Sequence, residues 1–404
     1  MKLLPVLLLS PILLLASADL IITDLPTDLV SIDSYDDALV ISAGSCIYLF
    51  DYGGNELQRR CGGDVAYGVW ASDNGAVGIL RKNTFYSGLG APTWAIIISP
   101  SSTTNLTLGY TWDDYLSVAL VSKSSLVLCG SNCTRYDNGT GAWNVEVSKL
   151  YREPHRIGLA DDLLLVPSYT QEAILALNAS DGTLVYKAPI SVSNWSEVEG
   201  LSADVCGYLV AVVVKGRSLI GSLHVYEVKN NLTLLWKADR FITNNYGSFL
   251  DYLKDVAISP DCDYIAVLDD FSRNIYVFKA SSEPYALIEF DDNKYSITIF
   301  DDYGNIVSKE SGNLPGDLLS SAALTWSKDG LLIALKFDEN GSAKGGVLRI
   351  VLDSVAPSTQ THYLDTTTSG SHAGIPTVSL LALLIPLARK LRRSGGDSSY
   401  HRSS

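Results

Sequence analysis

Val256-Ala257-Ile258-Ser259-Pro260-Asp261-Cys262-Asp263-Tyr264-Ile265-Ala266-Val267 is the stretch on which the fold turns. Two runs rich in β-branched residues flank a Ser-Pro-Asp turn. An Asp carboxylate caps backbone N–H groups in such a turn. Neither run has helical periodicity, so the stretch reads as two strands joined tightly.

The same unit recurs outward in both directions. Ser34-Tyr35-Asp36-Asp37 precedes Ala38-Leu39-Val40-Ile41, and Ser72-Asp73-Asn74-Gly75 precedes Ala76-Val77-Gly78-Ile79-Leu80. Trp112-Asp113-Asp114-Tyr115 precedes Leu116-Ser117-Val118-Ala119-Leu120, and Ala160-Asp161-Asp162 precedes Leu163-Leu164-Leu165-Val166. Ser202-Ala203-Asp204-Val205-Cys206-Gly207 precedes Tyr208-Leu209-Val210-Ala211-Val212, and Ser327-Lys328-Asp329-Gly330 precedes Leu331-Leu332-Ile333-Ala334-Leu335. The turn aspartates 36, 73, 113, 161, 204, 261 and 329 are spaced by about 49 residues on average. That is one four-stranded blade per unit. A second element, Ile47-Tyr48-Leu49-Phe50-Asp51, is echoed at 174–178, 223–227, 275–279 and 297–301, and reads as part of the outer strand pair of a blade. The expected fold is therefore an all-β propeller of seven blades. An extra hairpin near 291–310 leaves eight as the alternative.

The chain has 404 residues, 44 acids against 30 bases and a formal charge of −14. That balance speaks against a nucleic-acid partner, which needs a basic footprint. Much of the apolar content sits at the two ends. Residues 1–18 read as a signal peptide: Lys2, an apolar run, then Ala16-Ser17-Ala18 as a small-residue cleavage site. The ectodomain spans 19–355, followed by a Ser/Thr/Gly-rich stalk over 356–374. Residues 375–391 form a short apolar membrane or sorting segment, and 392–404 a basic, polar cytoplasmic tail. Arg389-Lys390-Leu391-Arg392-Arg393 places the preceding chain outside the membrane.

Export predicts sugars and disulfides. Sequons stand at Asn105, Asn132, Asn138, Asn178, Asn194, Asn231 and Asn340. The six cysteines are 46, 61, 129, 133, 206 and 262, and fifteen connectivities are possible. A hairpin centred on Gly53-Gly54 sets Cys46 opposite Cys61. Cys129 and Cys133 close locally, which leaves Cys206 with Cys262. Zinc is disfavoured because the histidines show no ligand spacing and no Cys-x-x-Cys pair occurs.

Chemistry is sparse. Asp-Asp pairs occur at 36–37, 113–114, 161–162, 269–270, 291–292 and 301–302, and make Ca²⁺ the one ion to consider. Turn capping explains the pairs at 36–37, 113–114 and 161–162, and no Asp-x-Asp-x-Asp-Gly loop is present. No Gly-x-Ser-x-Gly elbow and no phosphate-cradling loop occurs. No catalytic, cofactor-binding or metal-ligating residue is assigned. The many tyrosines suit either half-buried sheet or an aromatic binding platform.

Ile258-Ser259-Pro260-Asp261-Cys262-Asp263-Tyr264-Ile265-Ala266-Val267 resembles the blade motif of YVTN-type and WD-repeat-like propellers, and Leu177-Asn178-Ala179-Ser180-Asp181-Gly182-Thr183 resembles a quinoprotein-type blade ending. The resemblance covers about 320 residues. It implies blade architecture, and in its quinoprotein form a quinone cofactor. The Trp-docking signature of that group is echoed only at Leu235-Trp236-Lys237, so no cofactor is expected. The C-terminal segment resembles exosortase and archaeosortase sorting signals, with Ile375-Pro376-Thr377 in place of the usual triplets. A plain tail anchor explains it equally well.

The expectation is a glycosylated cell-surface propeller anchored at the outer face of the membrane. It would act as a binding or scaffold module for a protein or glycan partner on one face, in a style suited to an archaeal surface. The alternatives are a lactonase-like hydrolase or lyase with a metal in the central channel, and a surface-layer or filament component. The channel lining separates them: an enzyme needs convergent carboxylate, Asn or His groups at its mouth, whereas a binding module needs an exposed apolar or aromatic patch.

Overall fold

The computed structural model describes residues 16–352, apart from 36–37, 73, 83–89, 112–115, 148–155, 169–170, 191–197, 217–220 and 270–271. Residues 1–15 of the expected leader, the expected stalk, the apolar C-terminal segment and the basic tail lie outside the described residues, as do Asn194, Asp36, Asp73 and Asp113. Ala16, Ser17 and Ala18 of the expected cleavage site are described, the last two within the strand Ser17–Leu25.

Among the described residues seven antiparallel sheets of four or more strands follow one another along the chain, with a two-stranded hairpin, Arg240–Ile242 and Gly247–Phe249, between the fifth and sixth. Blades one to five span 29–61, 65–111, 117–146, 158–189 and 198–238, each with four strands in sequence order. Blade six, 253–313, has six strands. Blade seven joins three strands of 317–351 to Ser17–Leu25, which pairs with Ser342–Val351 in the register Ser17↔Val351. The first ordered segment therefore closes the ring as the outer strand of the last blade. Closure of this kind pairs strand edges that would otherwise be left open.

The first strand of each blade is innermost and the second is buried without polar alternation. The third is likewise buried in blades one, four, five and six, whereas Asn132–Asp137 of blade three is polar and mostly half-buried. Ala38–Ala43 and Cys46–Asp51 are almost wholly buried, whereas the outer Glu56–Cys61 is mostly exposed. Apolar runs of this kind belong between neighbouring sheets. Clusters such as Leu39, Ile41, Tyr48 and Leu332 cross from blade one to blade seven.

The extra hairpin extends blade six outward as Lys294–Phe300 and Ile306–Asn313, so the count is seven, and Ile297–Phe300 belongs to a fifth strand. Trp112-Asp113-Asp114-Tyr115 falls between the outer strand of blade two, Ser102–Thr111, and the inner strand of blade three, Ser117–Ser122. That unit lies outside the described residues, and blade three makes its first turn at Lys123-Ser124.

Serine shares the capping in these turns. In four first turns a serine hydroxyl accepts a backbone N–H: Ser72 from Asn74, Ser122 from Ser124, Ser259 from Tyr264 and Ser327 from Asp329. Asp261 accepts from Ser259 Oγ and from the N–H of Asp263. Asp161 adopts φ +49 in its turn. Asp204 is not a turn residue: it lies within Val198–Cys206, and Gly207-Tyr208 makes the turn.

The three disulfides are Cys46–Cys61, Cys129–Cys133 and Cys206–Cys262. The first two join residues directly opposite in a hairpin. The third links the first turns of blades five and six. Two outer-strand indoles add inter-blade ties: Trp143 Nε1 donates to Ala179 O, and Trp236 Nε1 donates to Ala280 O. Trp143 and Trp236 each sit beside a bulge in the same outer-strand register, so docking by tryptophan occurs twice.

Candidate functional site

The inner strands carry an ion cluster on the propeller axis. Asp33 comes from blade one, Asp204 from blade five and Asp255 from blade six. Arg156 enters just before the inner strand of blade four, and its backbone bridges Ser202 of blade five.

Arg156 Nη2 donates to Asp33 Oδ1 at 2.6 Å, and Nη1 donates to Leu324 O at 3.0 Å and Val256 O at 3.4 Å. Asp255 Oδ2 lies 4.0 Å from Nη1. The carboxylates also bind backbone. Asp33 Oδ2 accepts from Ala71 N at 2.8 Å, Asp255 Oδ2 from Leu324 N at 3.0 Å, and Asp204 Oδ2 from Ile258 N at 2.7 Å. Thr325 Oγ1 donates to Asp33 Oδ1, and Ser202 Oγ to Asp255 Oδ1. Each acid thus reaches from its own blade to a neighbouring one.

Burial governs the protonation of this cluster. Desolvation pushes the Asp33 carboxyl above its ordinary value, while Arg156 and the hydrogen bonds pull it back. Desolvation raises Asp204 to about 6, with Arg156 opposing. For Arg156 burial works against the charge, but Asp33, Asp204 and Asp255 outweigh it and hold the guanidinium charged.

Above the cluster opens a cavity of about 360 Å³. Its mouth is ringed by first turns of blades one, five, six and seven, through Tyr35, Cys206, Pro260 and Lys328. Tyr52, Trp70 and Trp326 add aromatic wall, and Trp70 Nε1 is buried with no hydrogen-bond partner. A neighbouring groove continues outward between blades six and seven past Tyr264, Asp329 and Arg349.

Among the described residues, no group of three or more His, Cys, Asp or Glu is placed to hold a metal ion. The Asp301–Asp302 pair serves other ends: Asp301 caps Tyr303 and Asn305, and Asp302 pairs with Lys279. Asp51 repeats the Asp301 arrangement with Gly53 and Asn55.

Of the sequons, Asn105, Asn132, Asn138, Asn231 and Asn340 are exposed. Asn178 is half-buried, and its Oδ1 accepts from both the N–H and the hydroxyl of Ser180. Among the described residues, Asp204 and Cys206 are the expected site residues that the fold brings to the cavity. Sequence reading passed over Arg156, Asp33 and Asp255. Part of their signal was available: Asp33 is the one charge in the strand Leu29–Tyr35, whereas Asp255 stands beside Lys254 in Leu253–Ile258 and reads as an ordinary charged pair.

No family model matches the chain, and no curated protein matches it. Solved structures do. The β-propeller domain of Cps50 (Swd1) from Myceliophteria thermophila aligns with TM-score 0.54 at 11% identity, over 82% of this chain and 99% of that one. Hydrazine synthase from Kuenenia stuttgartiensis gives 0.51 at 13% identity, over 80% and 96%. BamB from Moraxella catarrhalis gives 0.50 at 13% identity, over 82% and 98%. The chain is a seven-bladed β-propeller. At such identities the likeness is one of fold, and propellers host many unrelated activities.

Proposed function

We propose that this propeller is an exported, membrane-anchored binding or scaffold module that holds a protein or glycan partner on the face where the central cavity opens. One observation carries the reading. The acids that converge on the axis are engaged with a guanidinium, hydroxyls and backbone N–H groups of other blades, so they hold the ring together. The cavity above them is lined by Tyr35, Tyr52, Trp70 and Trp326, of which Tyr35 is exposed, Trp70 half-buried and the other two buried in the wall. An aromatic-lined cavity over a rigid base suits recognition.

Three disulfides fit an oxidising compartment, and the exposed sequons fit a glycosylated surface. Anchoring rests on the sequence of 375–391. Among the described residues no helix is long and apolar enough to cross a membrane.

The test has two arms. A membrane-impermeant label applied to intact cells should modify the full chain, and labelling only after lysis would overturn export. The ectodomain should bind a discrete set of ligands on glycan and peptide arrays, and Tyr35→Ala should weaken that binding. Array binding insensitive to Tyr35→Ala would move the partner to another face.

A further inference from the structure

We propose that the central cavity binds an alkylammonium or alkylguanidinium group, the kind carried by a lysine or arginine side chain, with Asp204 as its counter-ion. The proposal deepens the reading of this face as a binding surface and rests on it.

Charge arithmetic at the axis is the first argument. One guanidinium, Arg156, serves three carboxylates: Asp33, Asp204 and Asp255. Asp33 takes the close contact at 2.6 Å, and Asp255 lies at 4.0 Å. Among the described residues Asp204 makes no ion pair within 4 Å, Arg156 acts on it only at longer range, and the Ile258 N–H meets one of its oxygens. It lines the cavity, whereas Asp255 does not. A half-buried carboxylate short of a cation is a site that an incoming cation stabilises.

The walls supply the second argument. Tyr35, Tyr52, Trp70 and Trp326 line the cavity, and aromatic rings attract organic cations as well as apolar stems. A bare divalent ion gains nothing comparable from rings and wants six to eight oxygens. The cavity of about 360 Å³ falls in the usual range for a small ligand. The whole chain carries −14, so long-range attraction favours a cationic partner. Lys328 is the opposing charge at the rim; it is exposed, so water and salt screen it far more than the buried groups.

The experiment uses agmatine, an end-capped peptide with a single central arginine, and the same peptide with citrulline in its place. Each is titrated into the glycosylated ectodomain by calorimetry at low salt. Agmatine, the arginine peptide or both should bind saturably, and the citrulline peptide at least about tenfold more weakly. Binding of the peptide alone points to a side chain of a partner protein; binding of agmatine alone points to a free amine. Asp204→Asn keeps an acceptor for the Ile258 N–H while removing the charge, and should weaken binding about tenfold or more.

A second readout needs no variant. Acidification through about pH 6 should weaken agmatine binding to the native protein, because Asp204 gains a proton while the guanidinium stays charged. The groups facing Asp204 in that titration are Asp33, Arg156, Asp255 and Lys328. Equal binding of arginine and citrulline peptides, no saturable binding, or indifference to Asp204→Asn overturns the proposal. So does binding of CaCl₂ that depends on Asp204 when the guanidinium probes do not bind. If an array ligand sensitive to Tyr35→Ala is held while the cation probes fail, this proposal falls and the binding-face reading stands.

Discussion

Arg156 and Asp33 meet at 2.6 Å although 123 positions separate them in sequence. The pair joins the approach to blade four with the inner strand of blade one, straight across the propeller axis. Their side chains are 11% and 10% exposed, which puts the pair in the buried regime. Removing one partner there leaves an uncompensated charge. Arg156→Met should therefore lower stability by about 3–5 kcal/mol, read by urea denaturation. Arg156→Lys should recover only part, because a lysine cannot donate to Asp33, Leu324 O and Val256 O from one plane. A loss below about 1 kcal/mol in the methionine variant would show that the cluster is not what holds the inner strands.

Sequence reading reached the blades and missed this pair, for a physical reason. Blade strands repeat, so their turns, apolar runs and spacing reinforce one another until the period is visible. The hairpin geometry of Cys46 and Cys61 was legible for the same reason, since register follows from a turn of known length. The axial cluster forms once, from residues on four different blades, and no local pattern announces it. Asp204 shows the cost. It sits two residues before Cys206 and passed for a turn cap, whereas the chain runs extended through it and turns at Gly207-Tyr208. The serine caps were also misread, because Ser and Asp stand side by side in these turns and either can accept the same N–H.

The pH profile of stability should peak below neutrality. Asp204 titrates at about 6 in the folded chain against 3.8 as its ordinary value. A carboxyl raised in this way binds its proton more tightly when folded. Stability therefore rises as pH falls through about 6, and levels off below 3.8. The gain is at most about 3 kcal/mol, and less because Asp204 keeps some contact with solvent. Asp33 shifts in the same direction by the same cause, desolvation. The turn acids Asp51, Asp137, Asp181 and Asp301 behave oppositely. Their hydrogen bonds lower their values, so their contribution is present above the ordinary carboxylate range and fades in stronger acid. Thermal melts from pH 8 to pH 3 should show a maximum near about pH 5. Asp204→Asn should flatten the rise between pH 7 and pH 5, and an unchanged slope would reject the assignment to Asp204.

The three disulfides should not be equal. Cys206–Cys262 spans 56 positions and joins two blades, while Cys129–Cys133 spans 4 within one hairpin. In the loop-entropy picture a longer closed loop restrains the unfolded chain more. Replacing both cysteines of the long bridge with serine should cost about 4 kcal/mol, against about 2 kcal/mol for the short one. Paired chemical denaturation curves test the order. Equal losses would mean that native packing around the sulfurs, and not chain restraint, sets their contribution.

Gly54 and Gly341 separate two reasons for needing glycine. Both have φ +80, in the left-handed region that other residues adopt at a cost. At Gly341 a Cβ would meet open space, so Gly341→Ala should cost only about 1 kcal/mol, the backbone part. At Gly54 the same Cβ would lie 2.0 Å from the carbonyl oxygen of Ile21, in the strand that closes the ring. Backbone cannot yield there without disturbing the pairing of Ser17–Leu25 with blade seven. Gly54→Ala should therefore cost more than Gly341→Ala and should also speed hydrogen exchange in Leu20–Leu25, on the neighbouring blade. Exchange confined to blade one would show that the turn relaxes alone, and that the contact with Ile21 does not couple blade one to the closing strand.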